Sequence, residues 1–264
     1  MNNPNRFVGR IAIVTGAGSG IGRATAIRLA SEGARVALVD VDVKSAGDTK
    51  TQIESQHGES QVFQSDVSDP NQVAESIRQI ESEMGIPTVL VNNAGILRIV
   101  PMEETSDELF DLVLRTNLYS AFYFSRGIAQ LLLKNDLSGS FVNVSSIHAV
   151  LSEPNAGAYT AAKGGIESMS RTMASEWARR KIRVNCVRPG ATLTSLSKPL
   201  YTPEVLKALR MRVPMGTIAN PEQIAAGISF LASDEADYIT GTTLDIDGGY
   251  VMDGSLPGLA YEGD

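Results

Sequence analysis

The sequence predicts an α/β fold in which a parallel sheet of seven strands is covered by helices on both faces. Short β-branched apolar runs alternate along the chain with longer segments of helical period, and a glycine-rich turn directly follows the first run. Such an alternation builds a doubly wound parallel sheet through right-handed crossovers. A chain of 264 residues can close one large domain, so we expect a single domain over residues 1–264.

Seven apolar runs are the strand candidates. They cover residues 11–15, 35–39, 62–64, 89–91, 140–144, 183–187 and 243–246. Between most of them apolar residues recur every three or four positions, as at Val73, Ile77 and Ile80, which indicates amphipathic helices. Ligands of doubly wound folds bind beyond the carboxyl ends of the strands, so we expect functional residues in the loops that follow strands.

The composition disfavours several kinds of partner. Asp and Glu outnumber Lys and Arg by 30 to 23, and the net charge of -7 gives no reason to expect nucleic acid or an anionic membrane as partner. No run approaches the roughly 18 apolar residues of a membrane span, and the single Cys186 cannot form an internal disulfide. We expect a cytoplasmic protein that binds small molecules and copies of itself. The His, Cys and acidic residues show no metal-ligand spacing, so no metal is expected.

The glycine-rich turn has the sequence TGAGSGIG and joins the first strand to a helix. Glycines let the backbone approach a pyrophosphate, and the following helix offers free N–H groups and partial positive charge. The spacing runs through Gly16, Gly20 and Gly22 and differs from the usual G-x-G-x-x-G. Its place between strand and helix nevertheless favours a Rossmann-type dinucleotide site, with Ser19 and Ile21 among the contacts, over a merely flexible connection.

The second strand ends in ALVD, at Asp40, 18 positions after Gly22. A carboxylate at this edge can accept hydrogen bonds from both hydroxyls of an adenosine ribose, and it repels a 2′-phosphate. No Arg or Lys stands within the turn, which also disfavours a phosphate clamp. The sequence therefore predicts NAD as the cofactor. In the alternative interpretation Asp40 only caps the next helix.

A tyrosine and a lysine stand four residues apart in the helical segment YTAAK, at Tyr159 and Lys163. Ser146 stands just past the strand FVNVS, and Asn117 lies in the preceding helix. Oxidation of an alcohol needs a base, but a phenol of pKa about 10 is weakly ionised at neutral pH. We expect the ammonium of Lys163 and the oxidised nicotinamide to lower the pKa of Tyr159, and Ser146 to position the reacting oxygen.

The order of these motifs resembles that of the short-chain dehydrogenase/reductase family over essentially the whole length. The motifs are TGAGSGIG, Asp66 with Val67, NNAG, Asn117, Ser146, YTAAK, PGATLT and DGG. The resemblance implies that Asn117 holds a water that links Lys163 to solvent. It also implies that Lys163 holds the hydroxyls of the nicotinamide ribose.

Further cofactor contacts follow from the same resemblance. Asp66 and Val67 would flank the adenine, and Asn93, Ala94 and Gly95 would lie near the adenosine ribose. The segment after the sixth strand would contact the pyrophosphate and the nicotinamide. Its residues are Pro189, Gly190, Thr192 and Thr194. At position 192 the family often has Val or Ile, which puts the anchoring of the carboxamide in doubt but not the cofactor.

The substrate is expected to be an aldose oxidised at its anomeric carbon to a lactone. The runs SSIH and AAKGGI resemble those of bacterial glucose dehydrogenases within the family. The expected substrate residues are Arg98, His148, Glu153 and Asn155. Basic residues in a presumed lid, residues 192–217, allow an acidic or sulfonated sugar. They are Lys198, Arg210 and Arg212. A C-terminal tail, residues 250–264, is expected to pack near a neighbouring active site.

Other functions stay open. The substrate is an uncharged secondary alcohol or ketone if the basic residues are solvated. A 3-oxoacyl-carrier reductase is disfavoured by Asp40 and by the acidic charge, and a non-catalytic NADH sensor is disfavoured by the complete proton-transfer set. The long helical segments 107–133 and 156–180 resemble those through which the family forms homodimers and homotetramers.

Overall fold

The computed structural model describes residues 5–254 of the chain. Its strands are β1 (Ile11–Thr15), β2 (Arg35–Asp40), β3 (Glu59–Gln64), β4 (Val89–Asn92), β5 (Gly139–Val144), β6 (Ile182–Pro189) and β7 (Thr243–Ile246). Its α-helices are α1 (Gly20–Ser31), α2 (Val43–Ser55), α3 (Pro70–Met84), α4 (Asp107–Leu114), α5 (Ser120–Lys134), α6 (Gly157–Trp177), α7 (Pro203–Arg212) and α8 (Pro221–Ala232). Each predicted strand is present, and the predicted fold class is confirmed.

The strands form one parallel sheet in the order β3-β2-β1-β4-β5-β6-β7. The direction of winding changes between β1 and β4, which are neighbours in the sheet although two strands separate them in the chain. In doubly wound sheets the ligand crevice lies at this switch point, beyond the carboxyl ends of the strands. The glycine-rich turn follows β1 and the NNAG segment follows β4, so the fold brings both to the crevice.

Two apolar cores cover the two faces of the sheet. Helices α1, α2 and α8 pack on one face, where Leu29 and Ile228 are fully buried. Helices α3, α5 and α6 pack on the other, around Phe124 and Phe141. Burial on both faces explains why the sequences of the central strands are continuous apolar runs. Within residues 5–254, no helix is long and apolar enough to cross a membrane.

Strand β3 begins three residues earlier than the sequence predicts. Its extra residues, Glu59 to Gln61, are polar, and they pair with β2 on one side only. Side chains of an edge strand are partly exposed to water, so polar residues are tolerated there. A prediction that relies on apolar runs therefore omits these residues.

The predicted helix over residues 107–133 is interrupted. A π-helical turn, Arg115–Tyr119, separates α4 from α5. The second predicted helical segment is α6 followed by a 3-10 turn, Ala178–Arg180. Turns of π type are uncommon and occur frequently at functional sites. This one holds Asn117, which is buried.

Candidate active site

The turn after β1 has the shape of a phosphate cradle. Gly16 has a positive φ of 64°, which favours glycine. A Cβ on Gly22 would lie 2.0 Å from the carbonyl oxygen of Gly16, so only glycine fits there. Ser19 precedes α1 in an extended conformation and makes no side-chain capping hydrogen bond, so the first N–H groups of the helix lack that partner. A bare glycine cradle at a helix start fits a pyrophosphate.

The loop after β4 is fastened to this turn. Asn93 Nδ2 donates to the carbonyl oxygens of Thr15 at 3.0 Å and Gly16 at 3.2 Å. Thr15 Oγ1 in turn accepts from the backbone N–H groups of Asn93 and Ala94, both at 3.0 Å. The two loops that flank the crevice are therefore held at a fixed separation.

Asp40 lies at the carboxyl end of β2 with both oxygens held by backbone donors. Oδ2 accepts from the N–H of Gly18 at 2.8 Å, and Oδ1 accepts from the N–H of Asp42 at 3.0 Å. The cap of α2 is Asp42, whose side chain accepts from the N–H groups of Lys44 and Ser45. The alternative interpretation of Asp40 as a helix cap is therefore wrong.

One cavity of about 670 Å³ runs along the carboxyl edge of the sheet, a size typical of ligand sites. Every cofactor residue predicted from the sequence lines it. These residues are Gly16, Ser19, Gly20, Ile21, Asp40, Asp66, Val67, Asn93, Ala94, Gly95, Tyr159, Lys163, Pro189, Gly190, Thr192 and Thr194. The cradle, the ribose-edge carboxylate and the cavity together fit a dinucleotide.

Tyr159, Lys163 and Ser146 meet at the far end of this cavity. Lys163 Nζ donates to the carbonyl oxygen of Val144, the last residue of β5, at 2.8 Å. The same nitrogen lies 5.6 Å from the centroid of the Tyr159 ring. The hydroxyl of Ser146 hydrogen-bonds to Tyr159 and accepts from the N–H of His148 at 3.2 Å. The helix spacing of YTAAK thus places both side chains beside the end of β5.

Burial shifts both ionisable groups toward their neutral forms. It lowers the pKa of Lys163 from 10.5 to about 8. It also raises the pKa of Tyr159 above 10, although a hydrogen bond from Ser146 acts in the opposite direction and lowers that pKa. Desolvation of the phenol is the largest cause of this raised pKa. The expected lowering of the pKa of Tyr159 depends on the oxidised nicotinamide as well as on Lys163, so it stays a prediction for the cofactor complex.

Asn117 lies one layer behind the cavity and does not line it. Its Oδ1 accepts from the N–H of Ile96 at 2.7 Å, and its Nδ2 donates to the carbonyl oxygen of Ile96 at 2.8 Å. A Cβ on Gly95 would lie 3.2 Å from Asn117 Oδ1 and 3.7 Å from Lys163 Nζ. The Asn117 side chain therefore fixes the backbone after Gly95, next to Lys163.

Two of the four expected substrate residues line the cavity, namely His148 and Glu153, whose Nε2 and Oε2 lie 3.3 Å apart. The placement of the other two is corrected. Arg98 is exposed and donates to the carbonyl oxygen of Leu97. Asn155 has a left-handed φ of 64°, is exposed, and uses its carbonyl oxygen to accept from the N–H of Val100. Neither side chain lines the cavity.

The basic residues of the segment 192–217 also lie outside the cavity lining. Lys198 lies in a neighbouring groove, Arg210 is exposed, and Arg212 lies 3.8 Å from Asp253 Oδ2. Among the described residues, Lys163 is the one Arg or Lys that lines the cavity.

Apolar side chains that sequence reasoning missed form most of the remaining wall. They are Ile96, Leu97, Ile99, Leu196, Leu200, Tyr201, Val205, Leu209 and Tyr250. One signal for them was available, because Val205 and Leu209 stand four residues apart on α7 and share one face of the helix. Thr194 contacts the cradle as well, since a Cβ on Gly20 would lie 3.2 Å from the Cβ of Thr194.

A buried polar network supports the catalytic loop from behind. Ser145 Oγ donates to Glu167 Oε1 at 2.7 Å. Arg188 forms two hydrogen bonds with Glu167, at 3.0 and 2.9 Å, and an ion pair with Asp245. Glu167 stands one helical turn after Lys163. The network therefore joins α6, the end of β5, β6 and β7 directly behind Ser146.

Comparison with known proteins identifies relatives over nearly the whole chain. The 3-oxoacyl-(acyl-carrier-protein) reductase FabG of Thermotoga maritima is 36% identical over 248 residues, which cover 94% of this chain and 100% of that protein. The glucose 1-dehydrogenase of Gluconobacter oxydans is 35% identical over 254 residues, 96% of each chain. A crystal structure of a candidate 2-deoxy-D-gluconate 3-dehydrogenase from Agrobacterium tumefaciens with bound NADP has a TM-score of 0.89 and 34% identity, and the match covers 95% of this chain and 100% of that one.

A family model also matches the chain. It is described as Enoyl-(Acyl carrier protein) reductase, and it matches residues 16–251, from the glycine cradle to the end of the described fold. Three observations indicate the same family. The relatives match over their whole length, the sheet is doubly wound, and Tyr159 and Lys163 lie together in the cavity. The chain belongs to the short-chain dehydrogenase/reductase family, whose members are NAD(P)-binding oxidoreductases that act on alcohol and keto groups.

Proposed function

We propose that this protein is an NAD-dependent dehydrogenase that interconverts an uncharged secondary alcohol and its ketone. The observation that carries the proposal is the place of Tyr159, with Ser146 and Lys163, at the end of the same cavity that the predicted cofactor residues line. A carbinol held there lies between the phenol and the dinucleotide cradle, which is the arrangement that hydride and proton removal require.

In the oxidation, the phenolate form of Tyr159 takes the hydroxyl proton of the substrate on Oη and later passes it to solvent, which restores the phenolate. Bound NAD supplies the hydride acceptor and, in its oxidised form, a positive charge beside the phenol. Ser146 donates a hydrogen bond to the reacting oxygen and keeps it near Tyr159. Lys163 supplies a second positive charge, held 5.6 Å from the phenol ring. The net reaction converts alcohol and NAD⁺ into ketone, NADH and a proton.

The proposal of NAD rests on Asp40. The backbone donors of Gly18 and Asp42 fix its carboxylate at the cavity wall, where it would repel a 2′-phosphate. Arg23 contacts this turn but does not line the cavity. It donates to the carbonyl oxygens of Gly18 and Ser45 and to Thr49 Oγ1.

The substrate class rests on the wall of the cavity beyond Tyr159. Ile96, Leu200, Val205 and their neighbours make it mainly apolar, and no basic side chain beyond Lys163 lines it among the described residues. A carboxylate or sulfonate on the substrate would lose its water without gaining a partner. The acidic or sulfonated sugar expected from the sequence therefore has no support in this geometry.

An uncharged aldose, oxidised to its lactone, is the second candidate. The pair of His148 and Glu153 offers hydrogen-bonding groups for sugar hydroxyls, and a relative is a glucose 1-dehydrogenase. A screen of aldoses, polyols and cyclic or aromatic secondary alcohols for NAD reduction at alkaline pH separates the two. Higher kcat/KM on the secondary alcohols supports the first proposal, and higher kcat/KM on aldoses supports the second.

Several further expectations accompany this proposal. We propose that residues 192–217 act as the lid, because Leu196, Leu200, Val205 and Leu209 line the cavity. Tyr250 of the expected tail lines it as well, while residues 255–264 lie outside the described part. We also propose one domain, a homodimer or homotetramer, and a cytoplasmic location, which fits the single buried Cys186.

A further inference from the structure

Among the described residues, Glu153 is the one acidic residue that lines the substrate end of the cavity. The other two acidic residues that line the cavity, Asp40 and Asp66, belong to its adenosine end. The charge of Glu153 reaches the reaction centre, since it contributes to the raised pKa of both Tyr159 and Tyr201. An apolar wall strengthens such an effect, because it lowers the local dielectric constant.

His148 holds this carboxylate at the cavity wall. Its Nε2 lies 3.3 Å from Glu153 Oε2, so a neutral imidazole with the proton on Nε2 donates to Glu153. Nδ1 is then a buried acceptor, and it has no hydrogen-bond partner among the described residues. A proton on Nδ1 would leave a buried donor unpaired, which is costly. Because Nδ1 is buried, the acceptor that the pair offers to a ligand is the partly exposed carboxylate of Glu153.

We infer that the carboxylate of Glu153, held by His148, makes the substrate end selective for charge, so that it takes uncharged alcohols or ketones whose apolar body carries a second hydroxyl, accepts an ammonium group as a probe at that position, and rejects anions. This inference deepens the proposed function and rests on it. Selectivity between two ligands can come from repulsion of one as well as from attraction of the other. Anions meet the carboxylate of Glu153, and among the described lining residues the one Arg or Lys is Lys163, whose nitrogen is bound to the carbonyl oxygen of Val144.

The test uses one skeleton with four substituents. The substrates are cyclohexanols that carry, opposite the reacting hydroxyl, a methyl, hydroxymethyl, aminomethyl or carboxylate group. Two readouts are measured for each: kcat/KM for NAD reduction, and the dissociation constant of the matching ketone from the enzyme–NADH complex by NADH fluorescence. The wild type is expected to prefer the hydroxymethyl and aminomethyl compounds over the carboxylate by about tenfold, the effect of about 1.4 kcal/mol.

Two variants and a control assign this preference to one side chain. Glu153→Gln is expected to remove most of the preference for the aminomethyl over the carboxylate compound, while it keeps the use of the hydroxymethyl compound. Glu153→Lys is expected to reverse the charge preference. Glu103→Lys makes the same charge change at an exposed position outside the cavity lining, so its selectivity should equal that of the wild type.

The outcomes separate this inference from the proposed function. Turnover of the series with equal kcat/KM for the aminomethyl and carboxylate compounds overturns the inference and leaves the dehydrogenase proposal standing. Charge-selective binding of the ketones without turnover of any alcohol supports the inference and overturns the proposed substrate class. An unchanged preference in Glu153→Lys, or the same reversal in Glu103→Lys, contradicts the assignment to Glu153. Failure of every ketone to bind contradicts both.

Discussion

The side-chain nitrogen of Lys163 lies 5.6 Å from the centre of the Tyr159 ring and is held there by the carbonyl oxygen of Val144. Both groups are buried, and burial favours the neutral form of each. A charged Lys163 beside the phenol therefore lowers the free energy of unfolding of the chain. This loss of stability depends on pH and can be measured.

Lys163→Met should flatten the pH dependence of stability in the alkaline range. The pKa of Lys163 is about 8 in the folded chain, below the ordinary lysine value of 10.5, so the unfolded chain binds more protons between these two pH values. The free energy of unfolding of the wild type should therefore rise with pH across this window relative to the variant, by up to about 3 kcal/mol. Urea unfolding at several pH values tests this, with exposed Lys134→Met as the control. Parallel curves for wild type and Lys163→Met would contradict the buried ammonium.

Asp40→Ala should weaken cofactor discrimination. We expect the wild type to prefer NAD over NADP at least about tenfold in kcat/KM, or about 1.4 kcal/mol, and the variant to lose most of that preference. Asp42→Ala is the matched control, since it removes the cap of α2. It should cost about 1 kcal/mol of stability and leave the preference intact. Equal efficiency of the wild type with both cofactors would refute the assignment of Asp40.

Arg188→Met should be strongly destabilising, because it leaves the buried carboxylate of Glu167 without its partner. A broken buried pair costs about 3 to 5 kcal/mol, whereas its replacement by apolar residues is often near neutral. The double variant Arg188→Met/Glu167→Leu should therefore recover much of the loss in denaturant unfolding. A double variant as unstable as the single one would show that the pair itself carries the stability.

The exposed apolar face of α4 and α5 should be covered by a second copy of the chain. Leu112, Tyr119 and Phe122 are 42%, 38% and 37% exposed on it, and exposed apolar patches mark interaction sites. Sedimentation equilibrium at micromolar concentration should show a species of two or four chains. A species of 28.1 kDa alone would rule out the oligomer.

Much of the fold and the cofactor cavity was predictable because their signals are local. Buried parallel strands are continuous apolar runs, Gly22 lies where a Cβ would meet a backbone oxygen, and a helix places Tyr159 and Lys163 on one face. Each signal depends on a few neighbouring residues, and the structure keeps each of them.

Other features depend on tertiary contacts that the sequence pattern does not encode. The π-helical turn that holds Asn117 contains no Gly or Pro that would mark a break, so the pattern predicts a continuous helix. Basic side chains near a motif looked like substrate ligands, but the Arg98 side chain is exposed and donates to the carbonyl oxygen of Leu97. The pKa of Tyr159 depends on its burial and on side chains from other segments, among them Ser146 and Tyr201. Surroundings of this kind emerge only when the chain is folded.

The central claim is that Tyr159 is the group that takes the substrate proton, and Tyr159→Phe tests it most directly. The variant keeps the ring and loses the hydroxyl, so NADH should bind nearly as tightly as to the wild type while NAD reduction by the best secondary alcohol is abolished. Turnover and the dissociation constant of NADH are measured on the same preparation. Turnover within about tenfold of the wild type, with NADH binding intact, would show that another group is the base.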